Sequence, residues 1–439
     1  MSTATAARKA ARHATTSTVK DRQLFGVLLA CFLLSGFAAL LYQTVWMRQF
    51  AIVFGTSELA IATVLAAYMA GLAIGAAVAG RWAHRLKRPV LAYGLLEFGV
   101  AAGALCVPFG MRLAQSLLVM MLGGQAEPPD AGGLSQPLFF AAAAFVVMSI
   151  PTVCMGATLP LLTGHVVRRS EEIGQRVGLL YAINTFGAVI GTLAAAFVLI
   201  PHTGLFLTTL FGVVANAGVF GLAVLLSRRE SGTECTAVSG PATAATPRRS
   251  LTEEFSRRVA WILPVMLMSG LVSFMYEVLW SRLLGQLIGG SLYAFATMLA
   301  TFLTGITVGS VVAARLARNR TVSVWAFALT QLGTAILSML TYQSLGMVPT
   351  LADSWGAGAL GTAWVNAALC GVVLLPSTLC IGATFPLAVR ILAEDEHDAA
   401  PASARVYAWN TIGGVAGAFL AGFFILPALE FDGTIRLAT

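Results

Sequence analysis

Apolar residues fall along this chain in long unbroken blocks, without the period-two alternation of a half-buried strand. A helix of about 20 residues crosses a roughly 30 Å hydrocarbon core. Blocks of that length lie at 24–46, 58–80, 90–111, 137–162, 177–201 and 204–227. A second series lies at 260–281, 291–314, 322–346, 360–389 and 404–427. Eleven spans result, where a doubled six-span unit would have twelve. Residues 231–248 carry Ser-Gly, Gly-Pro and Thr-Pro steps and read as a flexible tether. The pattern divides the chain into a disordered tail (1–23), a first six-helix membrane repeat (24–227), a cytoplasmic linker (228–259) and a second, incomplete membrane repeat (260–439).

The doubling is visible residue by residue. Ser35-Gly36, followed by Tyr42-Gln43-Thr44-Val45-Trp46-Met47-Arg48, returns 234 positions later as Ser269-Gly270 and Tyr276-Glu277-Val278-Leu279-Trp280-Ser281-Arg282. The offset continues through Gly71 and Gly305, Gly75 and Gly309, and Arg81 and Arg315. A second block, Gly156-Ala157-Thr158-Leu159-Pro160, returns as Gly382-Ala383-Thr384-Phe385-Pro386, and Tyr181 with Asn184-Thr185 returns as Tyr407 with Asn410-Thr411. Two copies of one helical unit are a common transporter plan, with the binding site where the copies meet.

Composition agrees with a bilayer setting. The chain is 58% hydrophobic and 10% charged, more apolar surface than a soluble core of this length hides. All of the 27 lysines and arginines except Arg48, Arg112, Arg282 and Arg436 fall in the tail, the linker and the turns after even-numbered spans. The positive-inside rule makes those segments cytoplasmic and leaves the carboxyl end outside. The net charge of +8 thus reports topology, and nucleic-acid binding is a poor reading of it. The first apolar run is too long for a signal peptide, and no small-residue cleavage site follows it. Six cysteines without a C-x-x-C spacing support neither a disulfide framework nor a zinc site, and no metal or cofactor is expected.

Chemistry is sparse inside the spans, which makes each polar residue informative. Glu277 and Glu97 are carboxylates in apolar segments, where insertion costs roughly 2.5–3.5 kcal/mol, so each should face a cavity, a partner or a proton path. Their repeat-related positions hold amides, Gln43 and Gln331 respectively. One acid and one amide from each half suit a cationic solute held by charge and by neutral hydrogen bonds. Pairing of Glu277 with Arg282 or Arg48 is the alternative. Tyr42 and Tyr276, each four residues before a tryptophan, read either as boundary anchors or as part of a binding site. Asn184 and Asn410 read as interhelical bonds or as solute ligands. Arg48 and Arg282, at the ends of their spans, are rim or gate residues. Pro160 and Pro386 place a hinge in each half.

Six spans, a long cytoplasmic loop and a second series resemble the major facilitator superfamily. The turn Gly80-Arg81-Trp82-Ala83-His84-Arg85-Leu86-Lys87-Arg88 is similar to that family's basic turn between its second and third helices, with His84 where the family usually has Asp and Lys87 where it usually has Gly. The Ser-Gly to Tyr-Glu-x-x-Trp-x-Arg, Gly-Ala-Thr-x-Pro and Tyr-Ala-x-Asn-Thr signatures resemble the membrane half of fused spermidine synthase-like proteins over roughly residues 24–430. That resemblance implies an association with polyamine metabolism and, in the family, a cytoplasmic aminopropyltransferase domain after the last span. No strand followed by a glycine-rich turn outside the membrane supplies such a domain here. The expectation is an all-α polytopic membrane protein of two homologous bundles. It sits in the inner or plasma membrane and moves or senses a small cationic solute such as a polyamine. A noncatalytic anchor for a spermidine synthase domain or subunit is the first alternative. A membrane-bound aminopropyltransferase is the second, if the chain is a fragment of a longer protein.

The charge segregation makes a direct prediction. In intact cells, a membrane-impermeant thiol reagent should fail to label a single cysteine placed within 231–248; labelling from outside would reverse the orientation.

Overall fold

In hydrocarbon every backbone N–H and C=O must find its partner within the protein, and the described residues meet that demand with helices alone. The computed structural model describes residues 2–54, 58–121, 135–231, 259–289, 291–348, 350 and 363–439. Its first half comprises α1 (Ser2–Phe54), α2 (Glu58–Trp82), α3 (Pro89–Met121), α4 (Ser135–Val166), α5 (Ile173–Leu193) and α6 (Ile200–Ser231). The second comprises α7 (Ile262–Ile288), α8 (Leu292–Leu316), α9 (Arg320–Gln343), α10 (Ala363–Leu392), α11 (Ala399–Leu420) and α12 (Leu426–Ala438). α1 begins within the tail expected to be disordered, whose alanines, arginines and lysines have high helix propensity. The linker expectation at 228–259 falls almost wholly outside the described residues.

Ten helical runs among the described residues are long and apolar enough to cross a membrane. One of them, Ser170–Arg228, has 59 residues, about 88 Å at 1.5 Å per residue, and cannot stay straight within one bilayer. It turns at Gly204, where φ is 77°, a left-handed value that glycine adopts without a side-chain penalty. Eleven crossings follow. Glu430, 226 positions after Gly204, turns the second half in the same way with φ 55°, at a cost of order 1–3 kcal/mol for a residue with a Cβ. Residues 431–438 of α12 follow that turn as a short helical stretch.

Each half packs α1-type on α5-type and α2-type on α4-type helices, and the halves meet where α5 lies on α8 and α2 on α11. Small residues allow those crossings. At the end that carries the basic turns, Gly80 faces Ala404, Gly164 faces Ala400, Gly174 faces Ala317, and Gly178 faces Ala314 and Pro386. Apolar side chains of both halves, among them Phe32, Ile173, Val177, Leu392 and Val406, form one buried cluster there. The Ser170 hydroxyl donates to Glu396 Oε2 at 2.7 Å across the seam. Beside it, burial pushes the Asp398 carboxyl up while Arg405, 3.3 Å away, pulls it down. The halves are thus sealed together at the basic end.

Both halves also carry a π-helical turn, Ala194–Leu199 and Ala421–Ile425. Each precedes a proline, Pro201 or Pro427, whose missing N–H disrupts the α register. The hinge positions expected at Pro160 and Pro386 lie inside continuous helices, α4 and α10. Those helices already contain Pro151 and Pro376 about two and a half to three turns earlier.

A side chain at Gly174 would meet the Ala317 side chain and carbonyl, whereas Gly218 has nothing within 4 Å of an added Cβ. Overpacking typically costs about 1–3 kcal/mol. Gly174→Leu should therefore lower the thermal unfolding midpoint of the purified protein, and Gly218→Leu should leave it unchanged. Equal shifts in the two variants would contradict the seam.

Candidate substrate cavity

At the end opposite the basic turns, α1, α7 and α8 separate around a cavity of about 560 Å³. Thr44, Met47, Arg48 and Ala51 line it from α1; Glu277, Val278, Ser281, Arg282 and Gln286 line it from α7; Leu292, Phe295 and Met298 line it from α8. The spacings of three and four residues show that one face of each helix is presented. Phe431, just past the turn at Glu430 in α12, completes the wall.

Glu277 is half-buried and has neither a hydrogen-bond nor an ion-pair partner among the described residues. The alternative in which it pairs with Arg282 or Arg48 is not what the structure has. The Arg282 Nη2 instead donates to the Gly422 carbonyl at 3.3 Å. That carbonyl belongs to the π-turn, and its i+5 neighbour is Pro427, which has no N–H to offer. Arg48 is exposed to the cavity and likewise has no partner among the described residues.

The second carboxylate lies elsewhere. Glu97 is fully buried within the first half, where Asn216 Nδ2 donates to its Oε2 at 2.5 Å and the Tyr42 hydroxyl donates to Asn216 Oδ1 at 2.9 Å. The hydroxyls of Tyr93 and Ser35 lie in the same buried cluster as its carboxyl. In the second half Gln331 stands at the matching place and accepts from the Ser269 hydroxyl at 3.4 Å. Glu97 and Glu277 are therefore not neighbours: one belongs to the interior of a half, the other to the cavity between halves.

The remaining expected residues mostly hold the scaffold. Tyr42 and Trp46, stacked with centroids 5.5 Å apart, are buried at 0% exposure, as are Tyr276 and Trp280 at 1%. A boundary-anchor role is thereby excluded, because anchors must reach the headgroup layer. Tyr276 donates its hydroxyl to the Ala438 carbonyl at 3.0 Å. Gln43 is buried beside them. The Asn184 backbone carbonyl and side-chain oxygen sit against Gly36, and Asn410 Nδ2 donates to the Met266 carbonyl at 3.2 Å. Of the expected site residues, the cavity gathers Glu277, Arg48 and Arg282.

Sequence reasoning overlooked two features. Asn216, an amide in the apolar block 204–227, carries the Glu97 network. Tyr181 lies tilted against Phe385 with ring centroids 4.6 Å apart, and Phe385 meets Tyr407 edge-on at 6.0 Å. Each of these tyrosines also packs against the other half's core, so the repeated Tyr-x-x-Asn-Thr signature is a clasp between halves.

The sequence matches the family model described as Major Facilitator Superfamily over residues 23–379. No curated protein matches it. Among solved structures, a bacterial homologue of the iron transporter ferroportin in an outward-facing state is similar at TM-score 0.58 and 15% identity, covering 94% of this chain and 95% of that one. The same homologue with soaked iron is similar at TM-score 0.53 and 16% identity, with the same coverage. A human organic anion transporter is similar at TM-score 0.51 and 11% identity, covering 95% of this chain and 96% of its own. At these identities the likeness is one of fold.

The Glu97 network predicts an order of stabilities. Asn216→Leu removes a short hydrogen bond from the buried Glu97 carboxyl and should cost roughly 1–3 kcal/mol. The double variant Glu97→Leu with Asn216→Leu removes both partners and should recover much of that loss. Denaturation of the detergent-solubilised proteins measures this; a double variant less stable than Asn216→Leu alone would contradict it.

Proposed function

This chain belongs to the Major Facilitator Superfamily, and we propose that it carries a small solute bearing an ammonium group across the membrane, with Glu277 as the group that holds the ammonium. The observation that carries this reading is a carboxylate with no partner among the described residues, well inside an apolar helix, facing a cavity between two homologous halves. A carboxylate in such a place is costly, and a cationic solute compensates it during the part of the cycle in which it is bound.

With the basic turns on the cytoplasmic side, the cavity opens outward and the seam of Gly80, Gly164, Gly174 and Gly178 closes the cytoplasmic face. Alternating access then requires the seam to part as the outer ends of α1 and α7 converge. The π-turns ahead of Pro201 and Pro427 lie on the helices that would bend. Polyamines are one class of solute with this chemistry, and the resemblance of the repeated signatures to the membrane half of fused spermidine synthase-like proteins favours them. A noncatalytic anchor for a synthase partner would have no use for such a cavity.

Removing a charged hydrogen-bond partner costs about 1.5–3 kcal/mol, roughly ten- to hundredfold in affinity. Proteoliposomes should show saturable uptake of primary-amine solutes, and Glu277→Gln should reduce it at least tenfold without lowering the thermal unfolding midpoint. Uptake of the same solutes that is insensitive to Glu277→Gln would refute the assignment.

A further inference from the structure

The two repeats are alike in frame and unlike in the charges they present to the cavity. The first half presents a free guanidinium, Arg48, and at the position matching Glu277 it has Gln43, which is buried away from the cavity. The second half presents a free carboxylate, Glu277, while its own repeat-related arginine, Arg282, is bound to the Gly422 carbonyl. Each half thus contributes one charged side chain without a partner among the described residues, and the two are of opposite sign. We infer that the solute is amphoteric, carrying an anionic group that Arg48 receives in addition to the ammonium group held by Glu277.

This inference rests on the reading of Glu277 as the ammonium ligand and adds the other end of the molecule. A solute with two cationic ends would set one of them against Arg48, and a dianion would set one end against Glu277. Only a molecule with one charge of each sign satisfies both groups, so repulsion at the unmatched end becomes the basis of selection. An Arg guanidinium also matches the planar fork of a carboxylate by paired N–H donors. Between the charges the wall is largely apolar, with Met47, Phe295 and Met298, which suits a short methylene chain. The cavity, about 560 Å³, holds a molecule of amino-acid size together with several waters, each taking about 30 Å³. Because Arg48 and Glu277 belong to different halves, such a solute ties α1 to α7 and favours convergence of the outer ends.

The test uses three four-carbon probes that differ only in their end groups: 4-aminobutyrate, putrescine and succinate. Thermal-shift titration of the purified full chain should give 4-aminobutyrate at least tenfold tighter binding than either of the others. Arg48→Gln should abolish that preference, and Arg48→Lys, which keeps the charge, should retain most of it. Glu277→Gln should weaken both amines. Putrescine binding as tightly as 4-aminobutyrate, unaffected by Arg48→Gln but lost in Glu277→Gln, would overturn the amphoteric solute and leave the Glu277 reading standing. Binding of amines that ignores Glu277→Gln, or no shift by any of the three probes, would overturn both.

Discussion

Everything in this fold depends on how closely its helices approach. Lipid tails are as apolar as leucine, so helix association in a membrane draws on van der Waals packing and interhelical hydrogen bonds and gains little from hydrophobic burial. Here that packing is made at glycines where a Cβ would overlap a neighbouring backbone. Gly36 lies on the Asn184 carbonyl, and its counterpart Gly270 lies on the Asn410 carbonyl; Gly75 and Gly309 lie on those of Val153 and Leu379. These are the residues that define the sequence repeat, so the duplicated motif is a duplicated set of contacts. With α1 fixed on α5 and α7 fixed on α11, the faces carrying Arg48 and Glu277 are aimed at one space.

Symmetry builds the frame, and departures from it supply the chemistry. Glu277 has Gln43 as its partner in the repeat, and Glu97 has Gln331; in each pair only one member is an acid. The acids differ in setting. Glu97 has been absorbed into its own half by Asn216 and Tyr42, whereas Glu277 keeps its carboxylate open to the cavity. Arg282 is occupied by a carbonyl that its π-turn leaves underused, and Arg48 is not. A cavity between repeat-related halves is in this way polarised from one half to the other, which a strictly symmetric site could not be.

Much of the architecture was legible in the sequence because its causes are local. Apolar run length sets the spans, basic turns set their sense, and a recurring motif exposes the duplication. The helices themselves and the reversal between 201 and 204 follow from such signals. The candidate site was legible only in part, since a helix face cannot be assigned to cavity or core from one helix alone. Tyr42 and Trp46 lie near the end of a span, as anchors do, yet the turn at Gly204 brings α6 back over them and Asn216 takes the hydroxyl. Glu97 resembled Glu277 in sequence, and only the third dimension separates them. The π-turns were missed because attention fell on Pro160 and Pro386, while the disturbed backbone lies ahead of Pro201 and Pro427.

The central claim is that one cavity opens between the halves on the outer side while glycine-mediated packing closes the inner side. Gly285 lines that cavity with open space around it, and Ala314 lies in the seam against Gly178. The most direct measurement replaces the six native cysteines and places a single new one at either position, then applies a membrane-impermeant maleimide to intact cells. An outward cavity predicts rapid labelling of Gly285→Cys and none of Ala314→Cys. Labelling of Ala314→Cys with Gly285→Cys protected would contradict it.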